Sequence, residues 1–543
     1  MILKIQPEMT DQQTTSRISV QRILMATVVV VAAGTLALNI WRYYSFRTAW
    51  PLDLAFFNHQ LWNLTHESSE LTLQPGNFYA TEGPEPWRMA QMRLLTWLLM
   101  PIYYVVPGIP TLFTIQSVGC GLSLIPLYRI ANRQSGDPFW ALIAVLFGAF
   151  SCPLWMVGTL DFRYLTLGIP FTLAAYDALE QRKRGLFLLF AILAMMSRHV
   201  FAVLLASLLI IDFLSPILLR ILCNRSVPSR PQVCLSWFAG PLLLCVGWLL
   251  LDQLWLYFNY GSETVLHYWQ GMQDPAAVTS RLDWPVYTVL KGQYPFLARY
   301  ATAMIIALLI LYTKGFTVLL VTLPALQMGQ WAFHPADHFT RYSVPAVVVM
   351  LIAAVTLFGR MGAFQRANQT KYVPILAIML MTTGVTSTLL LLWDITSMPS
   401  GFNREERVEL EKVFNLIDSK ESVLAAHTEA YGMYHLWNSD YRDQTAMYFE
   451  ACSVLPRLSS RTRIFDYRQL PMTRGEDKKL RKLQLPEVLN EVDWCFVSQL
   501  GSRDAVSQRV RRSVRSNRTF EPVLQMGRLE VYRRVTPIAG QVP

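Results

Sequence analysis

The chain has 543 residues, 53% of them hydrophobic and only 16% charged, with a net charge of +11. Together with a positive mean hydropathy, that balance excludes an ordinary soluble globular protein. The basic excess does not point to nucleic acid, because the Lys and Arg residues stand between apolar segments, where membrane topology explains them.

Taken in order, the apolar segments are residues 23–41, 112–131, 139–160, 164–179, 186–196, 200–214, 235–257, 300–312, 316–330, 342–358 and 372–395. The pattern predicts an α-helical polytopic membrane protein of about 11 transmembrane helices, since about 20 apolar residues cross the hydrocarbon layer. The first segment follows Arg17 and Arg22 and shows no small-x-small cleavage site, so residues 1–22 read as a cytoplasmic tail before a retained span. Residues 94–106, interrupted by Pro101 and Pro107, read as a re-entrant or surface-lying helix. Segments 186–196 and 200–214 are short, which predicts a hairpin of half-length helices tipped by Ser197-Arg198-His199.

Basic clusters (Arg129/Arg133, Arg182-Lys183-Arg184, Arg220/Arg225/Arg230, Arg360/Arg366/Lys371) alternate along the chain with loops carrying Asp53, Asp161-Phe162-Arg163, Arg198-His199 and residues 334–342. Short Lys/Arg-rich loops stay in the cytoplasm, so the second set is expected on the outer face of the membrane. Two outer loops are long, 42–93 and 258–299; the second is rich in Tyr and Trp, as interface belts are. The expected domains are thus a transmembrane region, 23–398, and an extracytoplasmic soluble segment, 399–543. There an amphipathic helical pattern at 405–416 and strand-like runs at 422–426, 494–497 and 529–532 predict a small α/β domain. Cys452 and Cys495 either pair in it or remain buried thiols.

Four clusters carry the candidate chemistry. Asp53, Phe57 and Gln60 recur at i, i+4 and i+7, one face of a short helix; Asp53 is a candidate general base or cation ligand, or a helix N-cap. At the junction of two spans, Arg163 suits bidentate binding of phosphate with Asp161 as its orienter or as a metal ligand, unless the two form a solvated turn. Arg198 and His199 interrupt a purely apolar stretch and call for an anion such as a lipid phosphate, unless Arg198 snorkels. The cluster His334, Asp337, His338, Arg341 and Tyr342 suits substrate contact or a polar anchor better than a metal.

The run Asp53-Leu54-Ala55-Phe56-Phe57-Asn58-His59-Gln60-Leu61-Trp62 is followed by Pro126-Leu127-Tyr128-Arg129, Asp161-Phe162, Arg341-Tyr342 before Val344-Pro345, and a closing Gly527-Arg528-Leu529-Glu530-Val531-Tyr532-Arg533. In these motifs and their order the chain resembles the DUF2079 membrane family and, more broadly, the GT-C glycosyltransferase superfamily. The resemblance implies transfer of a sugar from a polyprenyl-phosphate donor to a lipid, glycan or protein acceptor on the outer face. It implies Asp53 and Asp161 as the catalytic carboxylates, with Arg163, Arg198 and Arg341 on the lipid phosphate. His199, Gln60, His338 and Tyr342 would complete the substrate site. Asn58 stands where the family often has a second acid, Arg163-Tyr164 replaces His-Pro, and Ser197-Arg198-His199 replaces a Lys-Glu-Asp-like set. These departures argue against a di-carboxylate metal site and leave open a metal-independent transferase or a divergent member that has lost activity; the one cofactor the resemblance still allows is a divalent cation (Mg or Mn). The competing readings are a transporter or lipid flippase, and a non-catalytic membrane scaffold.

Overall fold

A computed structural model of the chain describes residues 11–46, 51–67, 78–79, 94–159, 161–223, 235–273, 344–368, 372–397, 402–418, 421–426, 463–466, 485, 489–490, 492–498, 505–526 and 529–535. The expected spans 300–312 and 316–330, the cluster from His334 to Tyr342, the Pro/Gly-rich part of the first long loop, and Cys452 lie outside the described residues.

The protein is mostly helical. In chain order the helices of its apolar body are α1 (Asp11–Tyr44), α2 (Pro51–Trp62), α3 (Leu95–Val105), α4 (Ile109–Leu122), α5 (Leu124–Ser135), α6 (Pro138–Ala149), α7 (Cys152–Thr159), α8 (Tyr164–Glu180), α9 (Arg184–Ser197), α10 (Val200–Cys223), α11 (Leu235–Gln273), α12 (Val344–Asn368) and α13 (Tyr372–Ser397). Among the described residues, Ser19–Tyr44, Ile109–Ser135, Trp237–Trp255 and Val347–Asn368 are long and apolar enough to cross a membrane. The bent pair Pro138–Ala149 and Pro153–Thr159 makes a fifth such unit. Helix α12, built of Val, Ala, Leu and Ile on all sides, is buried all round and forms the centre of the body, as such a sequence must. By contrast α13 exposes Ile375, Ile378, Met379, Leu389 and Trp393, a face suited to lipid.

Three expectations need correction. The segment 139–160 is not one straight helix: it bends by 47° between α6 and α7. Pro153 lacks the N–H that would continue the ladder, and the Trp155 indole N–H donates instead to the Ala149 carbonyl at 2.7 Å. Pro101, expected to interrupt its segment, sits inside the continuous helix α3, and the chain turns only at Gly108 (φ 119°). Finally, α10 is not half-length; at 24 residues it runs through Pro216. In the same way α11 runs through the start of the second long loop to Gln273, and its 39 residues extend about 58 Å, well beyond a hydrocarbon core.

Two ends of the body differ in chemistry. At one, Arg133 pairs with Asp177 and, at 3.1 Å, with Glu180, while Arg182 pairs with Asp212 and Arg366 donates to the Gly136 carbonyl at 3.1 Å. The Arg129/Arg133 and Arg182-Lys183-Arg184 loops have acidic partners there that the bare alternation of charges did not anticipate. Helix α8, with 17 residues, separates this end from residues 161–163 by about 26 Å.

A six-stranded sheet covers the other end. Its strands are β1 (Phe78–Tyr79), β2 (Ser422–Ala426), β3 (Arg463–Asp466), β4 (Trp494–Ser498), β5 (Phe520–Gln525) and β6 (Leu529–Arg534), in the spatial order β1-β3-β2-β4-β6-β5. The first four run parallel; β6 pairs antiparallel with both β4 and β5. The sheet is not made by the C-terminal segment alone, because β1 comes from the first long loop and aligns Phe78 with Ile464. Two helices accompany it: α14 (Arg404–Leu416) and α15 (Ala505–Ser516). Helix α14 starts with a capping box, in which Asn403 Oδ1 accepts from the Glu406 N–H (2.8 Å) and Glu406 accepts from the Asn403 N–H (2.7 Å). Buried Glu530 on β6 accepts from Arg511 (2.7 Å), Arg515 and Tyr532 (2.5 Å). Burial opposes its charge, but these hydrogen bonds outweigh that cost and hold the carboxyl below its ordinary range. Cys495 is a buried free thiol on β4.

Aromatic packing ties the sheet to the helical body. Phe46, at the end of α1, meets Phe402 at 5.5 Å and Phe414 at 6.2 Å, and Phe414 stacks on Phe496 of β4 at 6.3 Å. Phe46 adopts φ 56°, costly for a bulky residue, and its burial in this cluster holds it there.

Candidate active site

The candidate site lies where α7 ends and α8 begins, beneath α2. Residues 161–163 are not helical, so their backbone groups and the last carbonyls of α7 need partners from elsewhere. Two other helices supply them. Asn39 of α1 and Gln116 of α4 donate to the Gly158 carbonyl at 2.8 and 3.2 Å. The Gln116 side-chain oxygen accepts from the Arg163 N–H at 2.8 Å. Arg42, the last basic residue of α1, donates to the Thr159 carbonyl, and its guanidinium lies 3.9 Å from the Asp161 carboxylate.

Arg42, Asp161, Arg163 and Gln116 are all buried. A charge removed from water is tolerated only with an opposite charge or hydrogen bonds, so Arg42 and Asp161 sustain each other. This is a built polar junction rather than the solvated turn weighed above.

Helix α2 is seated on that junction by aromatic contacts. Phe57 meets Phe162 at 5.9 Å and Tyr164 at 5.2 Å, edge to face. On the side of α3, Tyr103 donates its hydroxyl to Asn58 Oδ1 at 2.6 Å. Leu54, His59, Gln60 and Leu61 are buried as well, so α2 is packed on several sides. Burial pushes the His59 imidazole down to about 4, which keeps it neutral at pH 7. Asp53 is the third residue of α2, not its cap, and the side chain of Asp53 lies outside the described residues.

Arg198 and His199 form the corner between α9 and α10, with Arg198 in extended backbone (φ −171°). His199 Nδ1 lies 3.3 Å from Asp252 of α11. Of the sequence-predicted residues, the structure brings Asp161 and Arg163 to one junction, buries Gln60 in α2 and sets His199 against a carboxylate; His338, Arg341 and Tyr342 lie outside the described residues. Sequence reasoning missed Arg42, Asn39, Gln116 and Asp252. Each lies within or at the end of an apolar run, where a polar side chain needs a partner that the neighbouring sequence does not show. Among the described residues, no three His, Cys, Asp or Glu side chains converge as metal ligands would.

A polytopic helical membrane protein, with a buried charged junction at the end covered by a mixed sheet, is the class that this fold and site define. The chain belongs to the family described as predicted membrane protein (DUF2079), whose match spans residues 42–428 and so takes in α2, the junction and β2. No curated protein matches it significantly. Among solved structures it is similar to ArnT from Cupriavidus metallidurans bound to undecaprenyl phosphate, at 11% identity and a TM-score of 0.46, over 94% of this chain and 99% of that one.

Proposed function

We propose that this protein is a GT-C-type membrane glycosyltransferase that takes a sugar from a polyprenyl-phosphate donor and passes it to an acceptor at the sheet-bearing face. The observation that carries the reading is the seating of Phe57 on Phe162 and Tyr164. Through it, the helix that bears Asp53 and the buried Arg42–Asp161–Arg163 junction belong to one place, remote from the basic loops. The motif resemblance supports the same residues.

In the mechanism Asp53 takes the proton of the acceptor hydroxyl as its oxygen attacks the anomeric carbon. The bond from that carbon to the phosphate oxygen breaks, and polyprenyl phosphate leaves with the electron pair. Arg163 and Arg198 stabilise the departing charge in a region poor in water, where such interactions are strong. Asp161 orients Arg163 and, through Arg42, the backbone beneath it.

The test is turnover in proteoliposomes supplied with a membrane extract of lipid-linked sugars, with release of polyprenyl phosphate followed by mass spectrometry. Wild-type protein releases it and Asp53→Asn, nearly identical in shape, does not. Equal release by both removes Asp53 from the mechanism; release by neither favours a scaffold or a transporter.

A further inference from the structure

Asp252 is a buried carboxylate that the functional reading leaves unexplained. It lies within Leu249-Leu250-Leu251-Asp252-Gln253-Leu254 of α11, and it is 2% exposed. Its Oδ1 has no hydrogen-bond partner among the described residues, while its Oδ2 lies 3.3 Å from His199 Nδ1. An ionised carboxylate buried in a span is expensive, and such residues pair with a cation and mark functional positions. Its height fits. Asp252 is the 18th residue of α11, about 26 Å from the helix start, and His199 follows the 14 residues of α9, about 21 Å from the Arg182-Lys183-Arg184 loop. Both positions are at the far end of the body from the basic loops.

A carboxylate beside Nδ1 keeps a proton on that nitrogen, fixes the ring's orientation and leaves Nε2 as the nitrogen free to meet a ligand. The His199 side chain keeps 14% of its surface exposed, so the ring is within reach from outside. Arg198 precedes it, at a corner where α9 has ended and α10 begins. A ring held by a carboxylate next to an arginine fits the oxygens of a phosphate.

We infer that Asp252 is a positioning residue that holds His199 so that its Nε2, together with Arg198, binds the phosphate of the donor. The inference rests on the glycosyltransferase reading and adds to it a residue from α11, a helix that reading does not use. The ligand class is a phosphate monoester or diester, whether carried by a lipid or free.

The test uses the full-length protein in nanodiscs with ¹⁵N-labelled histidine, the His199 signals being assigned by their loss in His199→Gln. Undecaprenyl phosphate and inorganic phosphate are the two probes. The expected result is that undecaprenyl phosphate shifts the His199 Nε2 signal in wild type. In Asp252→Asn the resting His199 signals change and affinity for the lipid falls about tenfold, the scale of one hydrogen bond to a charged group. The double variant Asp252→Asn/His199→Gln should bind no more weakly than His199→Gln alone, and Asp252→Glu should recover part of the affinity. Equal response to inorganic phosphate assigns the site to free phosphate and upholds the pair; response to the lipid alone assigns it to the carrier. If wild type binds while Asp252→Asn keeps both its affinity and its His199 signals, this inference falls alone. If wild type binds neither probe, the parent reading falls with it.

Discussion

Acidification should loosen α2 through His59. The imidazole is buried, and its pKa is lowered from 6.5 to about 4 by desolvation. Above pH 6.5 neither the folded nor the unfolded chain carries the proton. Between 6.5 and about 4 the unfolded chain binds it and the folded chain does not, so stability falls as pH falls through that window and the loss is complete below it. At about 1.4 kcal/mol per pH unit, the gap amounts to about 3 kcal/mol, a large share of a typical folding free energy. The assay is denaturant unfolding in mixed micelles from pH 7.5 to 4, comparing wild type with His59→Gln, which cannot titrate. Carboxylates such as Glu530, held below their ordinary range, lose stability on acidification in both proteins and cancel in the difference. The wild-type curve should fall more steeply than the variant's by about 3 kcal/mol over the window. Parallel curves would refute the assignment of a buried neutral imidazole.

Further outcomes follow from the packing. Replacing Arg42 by Met leaves Asp161 buried without its cation and should cost about 3–5 kcal/mol, with much of that recovered in the double variant Arg42→Met/Asp161→Asn, as a double-mutant cycle of thermal unfolding will show. A Cβ on Gly121 would stand 2.6 Å from the Val28 carbonyl oxygen, so Gly121→Ala must push α4 from α1, at a cost of about 1–3 kcal/mol measurable by the same unfolding assay. Cys495 is buried on β4 and its thiol is pushed above its ordinary range, so it should resist maleimide in the native protein at pH 7 and react on denaturation, as mass spectrometry of the labelled peptide will report.

What the sequence made legible follows from how each signal arises. Long apolar runs and short apolar strand-like runs are collective patterns, and α8, α13, β2, β4 and β6 stand close to where those patterns placed them, while α1 begins at Asp11, inside the expected tail. The capping residues Asn403 and Glu406 confirm the start of α14 locally. What escaped is what depends on distant partners. Strand β1 has two residues and no periodicity, and it exists because β3, nearly 400 positions later, offers it a parallel edge. The α6–α7 bend lies inside a run that is apolar throughout. Hydrophobicity alone does not report it; Pro153 was the available cue. At the candidate site, Asp53, Asp161 and Arg163 drew attention as charges beside spans. Arg42, Gln116 and Asn39 did not, because their partners are backbone carbonyls of α7 and a carboxylate more than 100 residues away. A sequence shows donors; it does not show which carbonyls a bend will leave open.

The central claim is that the corner and junction at the sheet-bearing end bind a lipid phosphate. The most direct measurement is native mass spectrometry of undecaprenyl phosphate bound to the purified protein, for wild type and for Arg198→Ala. The account predicts a specific one-to-one complex with wild type that is lost in the variant. A wild type that binds no undecaprenyl phosphate, or a variant that binds it equally well, would contradict it.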